Sequence, residues 1–313
     1  MSDEIYQYLS PLGEIFSTNP TKPLYHYTSV QGLSGIVEKK KLWATDARYL
    51  NDSSEVSYIA SIADELLSIE SVIRQHQQED IRVLQVSLDE WRTSQSRLGG
   101  VFVSSLSENQ NQLSQWRGYC PPGAGVSIGF DSVELHTSLV PRKVVTVKVL
   151  YDLDKQKRIV EGILSYLLDG DVPDAYQGAT RTESLQEELH LLLSIAGPVL
   201  KHPGFHEEAE WRLIYSEKVF SQLFRYMSDC EPQLFPDPIP SLPVQYRARG
   251  TQLVPYVALP LVAHEQDVLE FDSICTGPGT DPVFFEETLK DFLHSKDVAV
   301  KRFVPSGIPL RVS

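Results

Sequence analysis

The fold is decided by a short stretch near the start of the chain, Leu24-Tyr25-His26-Tyr27-Thr28-Ser29. Its aromatic and β-branched residues predict a strand. Because side chains alternate between the two faces of a strand, His26 and Thr28 point to one face and Tyr27 to the other. One face of this strand can therefore offer two polar groups to a ligand. A buried histidine that is satisfied by the backbone is the alternative that this stretch leaves open.

The residues that follow this strand predict a compact local unit. The apolar spacing of 30–39 predicts a short helix, for which Ser29 is the N-cap. A second strand is expected at 42–45, and a turn at 51–55 leads into a helix that runs to about residue 73.

The remaining elements alternate between strands and helices. Helices are predicted at 81–93, 112–118, 155–168, 184–200 and 284–294, and strands at 99–106, 126–130, 144–150, 211–215, 249–261, 268–274 and 298–304. We expect the strands at 126–130 and 144–150 to be sheet neighbours. Five prolines make 231–243 a loop or lid. The chain is predicted to be one α+β domain over 1–313, with a helical insertion at 153–200.

Composition excludes several classes of function. The net charge of −14 argues against broad electrostatic binding of duplex nucleic acid or of an anionic membrane, although a local basic groove stays possible. The three cysteines are widely spaced, so neither a disulfide framework nor a zinc knuckle is indicated, and a reducing cytoplasm fits best. The first residues lack a basic start with an apolar run, and no segment is long enough to span a bilayer.

An acidic segment, Glu207-Glu208-Ala209-Glu210-Trp211-Arg212, offers carboxylates beside an aromatic ring and an arginine. If it is a strand, Glu208 and Glu210 share one face, while Ala209 and Trp211 face the core. A carboxylate so placed can bond a ribose hydroxyl and stabilise a sugar cation. The alternative is a solvated acidic edge that pairs with Arg212.

Hydroxyl and aromatic residues form a third group. Ser104, Ser105 and Ser107 end a predicted strand, and Trp116-Arg117-Gly118-Tyr119 follows. Serines at a strand end can position a ligand and an aromatic ring can stack on a flat one, but turn serines and core aromatics would give the same pattern.

Other chemistries find little support in the sequence. Motifs for dinucleotide folds, P-loops, zincins and serine hydrolases are absent. His202 and His206 have a spacing that a metal could use, yet Pro203 and Gly204 break the helix that would present them. No metal is expected, and metal-dependent hydrolysis is the least favoured alternative.

Several of these segments, taken in order, resemble a widespread bacterial family of uncharacterised proteins. They are Tyr25 to Ser29, Leu42 to Thr45 with Asn51, Asp52 and Glu55, Ser104 to Ser107 with Trp116 to Tyr119, Phe205 to Arg212, and Ser306 to Arg311. The order of His-x-Thr, a serine-rich strand end and Glu-x-Glu is also similar, more distantly, to the three motifs of the ADP-ribosyltransferase superfamily. That resemblance implies a split central sheet and NAD as the substrate.

The same resemblance implies a role for each matching residue. His26 would bond the nicotinamide-side ribose, with Thr28 shaping the pocket and Ser104 and Ser105 supporting it. Tyr119 or Tyr27 would stack on nicotinamide. Glu210 would be the catalytic carboxylate, and Glu208 would orient the acceptor. Transferases of the histidine type usually carry a tyrosine where the two serines stand, so this chain mixes two patterns.

These expectations lead to one main function and one alternative besides the metal-dependent one. The main expectation is an NAD-dependent ADP-ribosyltransferase or NAD glycohydrolase, of a kind that would suit a bacterial toxin, effector or defence protein. Its acceptor, whether protein, nucleic acid or water, stays open. The alternative is a module that binds or senses a nucleotide or nucleic acid without turnover.

Overall fold

The computed structural model describes residues 11–50, 55–69, 76–93, 100–120, 125–219, 241–279 and 282–309. The predicted lid at 231–243 falls largely outside these ranges, as does most of the turn at 51–55. None of the described helices combines the length and apolar character needed to cross a bilayer.

Ten strands form one sheet with helices on both of its faces. The strands are β1 Leu24–Thr28, β2 Lys41–Asp46, β3 Phe102–Ser107, β4 Val126–Phe130, β5 Val144–Lys148, β6 Glu210–Tyr215, β7 Gln245–Arg249, β8 Gln252–Pro260, β9 Leu269–Thr276 and β10 Val298–Pro305. The helices are α1 Val30–Lys39, α2 Glu55–Leu67, α3 Gln78–Thr93, α4 Leu113–Tyr119, α5 Ser132–Leu139, α6 Leu153–Asp169, α7 Arg181–Ala196 and α8 Pro282–Ser295. Short 3-10 turns cover Ala47–Tyr49, Val140–Arg142, Gly197–Val199 and Pro203–Glu208.

The sheet is mixed and largely antiparallel, in the order β10-β9-β4-β1-β3-β2-β8-β7, with β6 paired to β3 and β5. Strands β9 and β10 run parallel, and the other described pairs are antiparallel. The predicted α+β class is therefore confirmed.

Two apolar layers cover opposite faces of this sheet. Alternate residues of one strand enter different layers: Phe102 packs with α1, α5 and α8, whereas Val103 packs with α2, α3, α6 and α7. Neighbouring β6 residues divide in the same way, with Leu213 in the first layer and Ile214 in the second. Because both faces are covered, β6 is buried along its whole length.

One predicted pairing is wrong. Strand β4 lies between β1 and β9, and β5 pairs with β6, so the strands at 126–130 and 144–150 are not neighbours. Their β-branched content correctly indicates buried strands, but it carries no information about the partner of each strand.

The first predicted unit is confirmed in detail. Strand β1 is followed by α1, and the Ser29 hydroxyl accepts a hydrogen bond from the Gly32 amide at 3.0 Å. A Cβ atom at Gly32 would lie 2.0 Å from the Thr28 hydroxyl oxygen, so a larger residue there would force the Thr28 side chain to move.

Candidate active site

A gap between two strands creates a cleft. Strand β6 pairs along one edge of β3 from Phe102 to Ser107. On the other edge, β1 meets β3 only at Ser107, and β2 meets it only at Val103 and Phe102. Among the described strands, residues 104–106 therefore have no partner on that edge. A cleft of about 1060 Å³ opens there and extends onto β2 and β7.

His26 lies beside the gap. Its Nδ1 is 3.0 Å from the backbone carbonyl oxygen of Ser105. A carbonyl can only accept, so Nδ1 carries the proton and Nε2 is left as an acceptor. Burial lowers the pKa of His26, although its hydrogen bond to Ser105 acts in the opposite direction. The cleft is thus lined by a neutral imidazole whose second nitrogen can accept a hydrogen bond from a hydroxyl.

Glu210 is the best-anchored acid of the cleft. Arg212 donates to both carboxylate oxygens, from Nε at 2.8 Å and from Nη2 at 3.0 Å. Lys201 Nζ lies 3.0 Å from Oε2 of the same carboxylate and 2.6 Å from Oε2 of Glu208. Arg212 also donates to the Pro198 carbonyl at 2.8 Å. These four charged side chains, of which Glu208 alone is partly exposed, form a network that we call the Glu210 network.

The network keeps Glu210 ionised. Burial alone would raise the pKa of this carboxyl, but Arg212 and Lys201, with hydrogen bonds from Arg212 and from the Ser105 hydroxyl, outweigh it and lower the pKa to about 2. Glu210 is 3% exposed and Arg212 1%. The carboxylate therefore carries its charge throughout the physiological pH range.

The backbone conformation that places Glu208 in the network differs from the predicted one. It ends the 3-10 turn Pro203–Glu208, and β6 begins only at Glu210. Between them Ala209 adopts a left-handed conformation with φ of 44°. The two carboxylates therefore do not share one face of a strand as predicted. Lys201 Nζ nevertheless contacts both of them, one from the 3-10 turn and one from the first residue of the strand.

The side chains of Ser104 and Ser105 point to opposite faces of β3, and both residues line the cleft. Ser105 bonds Glu210 through its hydroxyl and His26 through its carbonyl oxygen. Among the described residues, the Ser104 hydroxyl is buried with no hydrogen-bond partner. An unsatisfied buried hydroxyl on a cleft wall is free to bond a ligand.

Aromatic side chains surround these polar groups. Tyr119, Phe205 and Trp43 line the cleft and are partly exposed, and the ring of Phe205 lies 5.2 Å from Lys201 Nζ. Arg247 lies on the far wall, where its guanidinium stands 4.9 Å from the Trp43 ring.

Seven of the eight predicted site residues line this one cleft. They are His26, Thr28, Ser104, Ser105, Tyr119, Glu208 and Glu210. Tyr27 does not line it. Its hydroxyl donates to the Asn109 carbonyl and accepts from the Gln112 amide, and its ring packs edge-on against Trp116. Strand alternation explains this placement, and it removes Tyr27 from the residues that we propose as ligand contacts.

Sequence reasoning missed Lys201 and Arg247. Lys201 directly follows the apolar run that ends at Leu200, and a single lysine after such a run is normally solvated, so its burial gave no local signal. Nδ1 of His202 accepts from the Gly204 amide, and Nδ1 of His206 bonds the Pro203 carbonyl. No cluster of metal-binding side chains is found within the described ranges.

Residues 115–213 match the model of a family described as a protein of unknown function, DUF2971. The matched segment contains the whole Glu210 network and Tyr119, whereas β1 with His26 precedes it. The predicted resemblance to an uncharacterised family is confirmed over this segment. Neither the curated proteins nor the solved structures contain a match to this chain.

Proposed function

We propose that this cleft binds NAD and breaks the bond between nicotinamide and ribose, as an ADP-ribosyltransferase or an NAD glycohydrolase. One observation carries the proposal: Ser105 contacts both His26, through its carbonyl oxygen, and Glu210, through its hydroxyl. A hydrogen-bond acceptor and an ionised carboxylate therefore flank one residue of the strand edge that the cleft exposes. That arrangement suits a ribose, which needs acceptors for its hydroxyls and a negative charge near C1′.

The chemistry follows from these two groups. The C1′–N bond breaks, and its electron pair leaves with neutral nicotinamide, so positive charge develops on the ribose ring. Glu210 stabilises this charge, and Nε2 of His26 accepts a hydrogen bond from a ribose hydroxyl. An oxygen or nitrogen of the acceptor then bonds C1′ and releases its proton. With water as the acceptor, the products are ADP-ribose, nicotinamide and a proton.

The size and lining of the cleft support the same proposal. A volume of about 1060 Å³ suits a dinucleotide, since small-molecule sites span roughly 300–1,000 Å³. The partly exposed rings of Tyr119 and Phe205 offer flat surfaces for a base, and the unpaired Ser104 hydroxyl offers a polar contact.

A second candidate is a module that binds a nucleotide without turnover. It is favoured by the state of Glu210, since both oxygens of this carboxylate already bond cations. A carboxylate so neutralised stabilises a sugar cation less than a free one does. The two candidates differ in two respects: a binding module keeps its affinity for NAD when Glu210 is neutralised, and it never releases nicotinamide.

The test measures NAD binding by calorimetry and nicotinamide release by chromatography on the same samples. For the enzyme, we expect release by the parent protein and a loss of at least about 100-fold with His26→Gln or with the double variant Lys201→Met/Glu210→Gln. The double variant removes the carboxylate together with one of the two cations that bond it.

Matched controls lie outside the cleft. His136→Gln changes another histidine whose pKa burial lowers, and Glu108→Gln removes a carboxylate that pairs with Lys148 at 2.6 Å. Both controls should release nicotinamide at the parent rate. Tight NAD binding without release by any form supports the binding module, and the absence of NAD binding refutes the enzyme and any module that binds NAD.

A further inference from the structure

The outer half of the cleft is a basic face of the sheet. Residues 41, 43 and 45 of β2 alternate onto one face, and Thr45 stands opposite Tyr256 of β8, which stands opposite Gln245 of β7. Because side chains alternate along β7, Arg247 and Arg249 lie on the same face as Gln245. We call Lys41, Trp43, Tyr256, Arg247 and Arg249 the basic platform. The opposite face of β2 and β8 is buried in the core at Leu42, Ala44, Val257 and Leu259, whereas Tyr246 on the opposite face of β7 is exposed.

Within the part of the chain that the structure describes, the cations of the platform have no acidic partner. Among the described residues, Lys41, Arg247 and Arg249 form no ion pair. Arg247 instead stacks on Trp43 at 4.9 Å and on Tyr256 at 5.9 Å, and it donates to the Thr45 hydroxyl at 2.9 Å. Arg249 donates to the Tyr49 carbonyl at 2.8 Å. Three uncompensated cations in a protein of net charge −14 mark a local site for an anion.

The length of the platform exceeds what a dinucleotide needs. Four residue steps separate Lys41 from Thr45, and four more separate Gln245 from Arg249 in the same direction. At about 3.4 Å per residue, the platform extends roughly 27 Å along the strands. The single pyrophosphate of NAD covers only part of this distance, whereas a polymer with regularly spaced phosphates can cover all of it.

The aromatic residues select the kind of polymer. Trp43 is 41% exposed, and Arg247 packs against the same ring. A planar ring beside cations is the means by which proteins hold unpaired bases and the backbone that links them. A duplex keeps its bases stacked inside, where Trp43 cannot reach them. Outside the platform, the net charge of −14 repels the phosphates of a duplex.

We propose that the basic platform binds single-stranded nucleic acid, with a base on Trp43 and phosphates on Lys41, Arg247 and Arg249. A strand held there lies at the open side of the cleft whose inner end holds Glu210, and it is therefore the candidate acceptor for ADP-ribose. That acceptor role, unlike the binding itself, rests on the proposed function.

Binding is tested without NAD, by the fluorescence anisotropy of a labelled 12-nucleotide DNA strand, the same strand as RNA, and the DNA duplex. The single strands should bind more tightly than the duplex. Trp43→Ala should weaken binding roughly 5- to 150-fold, the range expected for one stacked base. Arg249→Gln and Lys41→Gln should each reduce the dependence of log K on log salt by about 0.7, the value for one phosphate of a single strand.

Controls alter the same residue types elsewhere. Arg82→Gln removes an exposed arginine of α3, and Tyr176→Ala removes an exposed aromatic between α6 and α7. Neither should change binding. The proposal is overturned if no strand binds at 50 mM salt, if the platform variants bind like the controls, or if polyglutamate displaces the strand at equal charge concentration, because the surface would then select charge alone.

The acceptor role has its own measurement. Parent protein, the labelled strand and NAD labelled in its adenylate half are incubated together, and the label on the strand is counted. Transfer of label is expected. Nicotinamide release without transfer rejects the acceptor role and leaves strand binding standing, whereas strand binding without nicotinamide release contradicts the enzyme of the proposed function.

Discussion

Replacing Glu210 alone by glutamine should destabilise the protein strongly, because two buried cations would lose their shared anion. Arg212 is 1% exposed and Lys201 is 3% exposed, so water cannot replace the carboxylate. Breaking a buried ion pair from one side costs about 3–5 kcal/mol. The pKa gives a similar figure: a fall from 4.5 to about 2 corresponds to roughly 3 kcal/mol at neutral pH.

The double variant Lys201→Met/Glu210→Gln separates this effect from a general loss of packing. It removes one cation together with the anion, and Arg212 keeps its bond to the Pro198 carbonyl. Its loss of unfolding free energy should therefore be smaller than the sum of the two single losses by about 0.5–3 kcal/mol. The control Glu108→Gln, whose partner Lys148 is half exposed, should cost about 1 kcal/mol or less.

The assay is urea unfolding followed by tryptophan fluorescence, at pH 7 and at intervals down to pH 2. The folded pKa of Glu210 lies below the unfolded value, so its contribution is complete above about pH 4.5 and is lost as the pH falls towards about 2. Glu210→Gln should lack this part of the acid destabilisation. A single variant within about 1 kcal/mol of the parent, with additive losses in the double variant, would refute the Glu210 network.

Three further predictions concern the residues around the network. Within α1, Gly32→Ala should destabilise the protein by about 1–3 kcal/mol, because the new Cβ would lie 2.0 Å from the Thr28 hydroxyl oxygen. Gly35→Ala should stabilise the protein by about 0.5–1 kcal/mol, because its Cβ would have no neighbour within 4 Å and alanine favours a helix. Thermal unfolding of both variants tests the two expectations. Long-range ¹H–¹⁵N NMR should show His26 protonated at Nδ1 alone at pH 6.5, because its pKa is lowered by burial, and a proton on Nε2 at that pH would contradict the geometry. Ala209→Gly should stabilise the protein by up to about 1 kcal/mol in urea, since a left-handed φ of 44° strains alanine, and a destabilised glycine variant would show that Ala209 is not strained.

The sequence predicted best what short-range rules control. Strand β1, helix α1 and the Ser29 cap depend on residues within about ten positions of one another, and each appears where it was expected. The partners of β4 and β5 depend on contacts between distant segments, and there the prediction was wrong. Apolar alternation specifies that a strand is buried and leaves its neighbour undetermined.

The same difference between short-range and long-range contacts separates the site residues that were predicted from those that were not. His26, Ser105 and Glu210 belong to segments whose residue types already suggested a polar site, so their convergence could be anticipated from order along the chain. Lys201 could not, because only the fold buries it against two carboxylates. The basic platform could not be predicted from the sequence either. Its cations come from β2 and β7, which both neighbour β8 in the sheet but are distant from each other in the sequence.

The Glu210 network is hard to explain as a device for stability alone. Buried charges lose their hydration, and replacing a buried ionic group by apolar residues of similar volume is often neutral or stabilising. Apolar side chains were available to this sheet, since β6 continues with Leu213 and Ile214, both fully buried. The charged residues occur instead at the one end of β6 that borders the cleft, on the side of β3 opposite to its unpaired edge. These buried charges lose hydration at the one place where a ligand can reach them, so ligand binding explains their presence better than stability does. The neutralised double variant therefore decides between the two candidates under conditions where urea unfolding shows it to be folded, because only an enzyme should lose nicotinamide release with it.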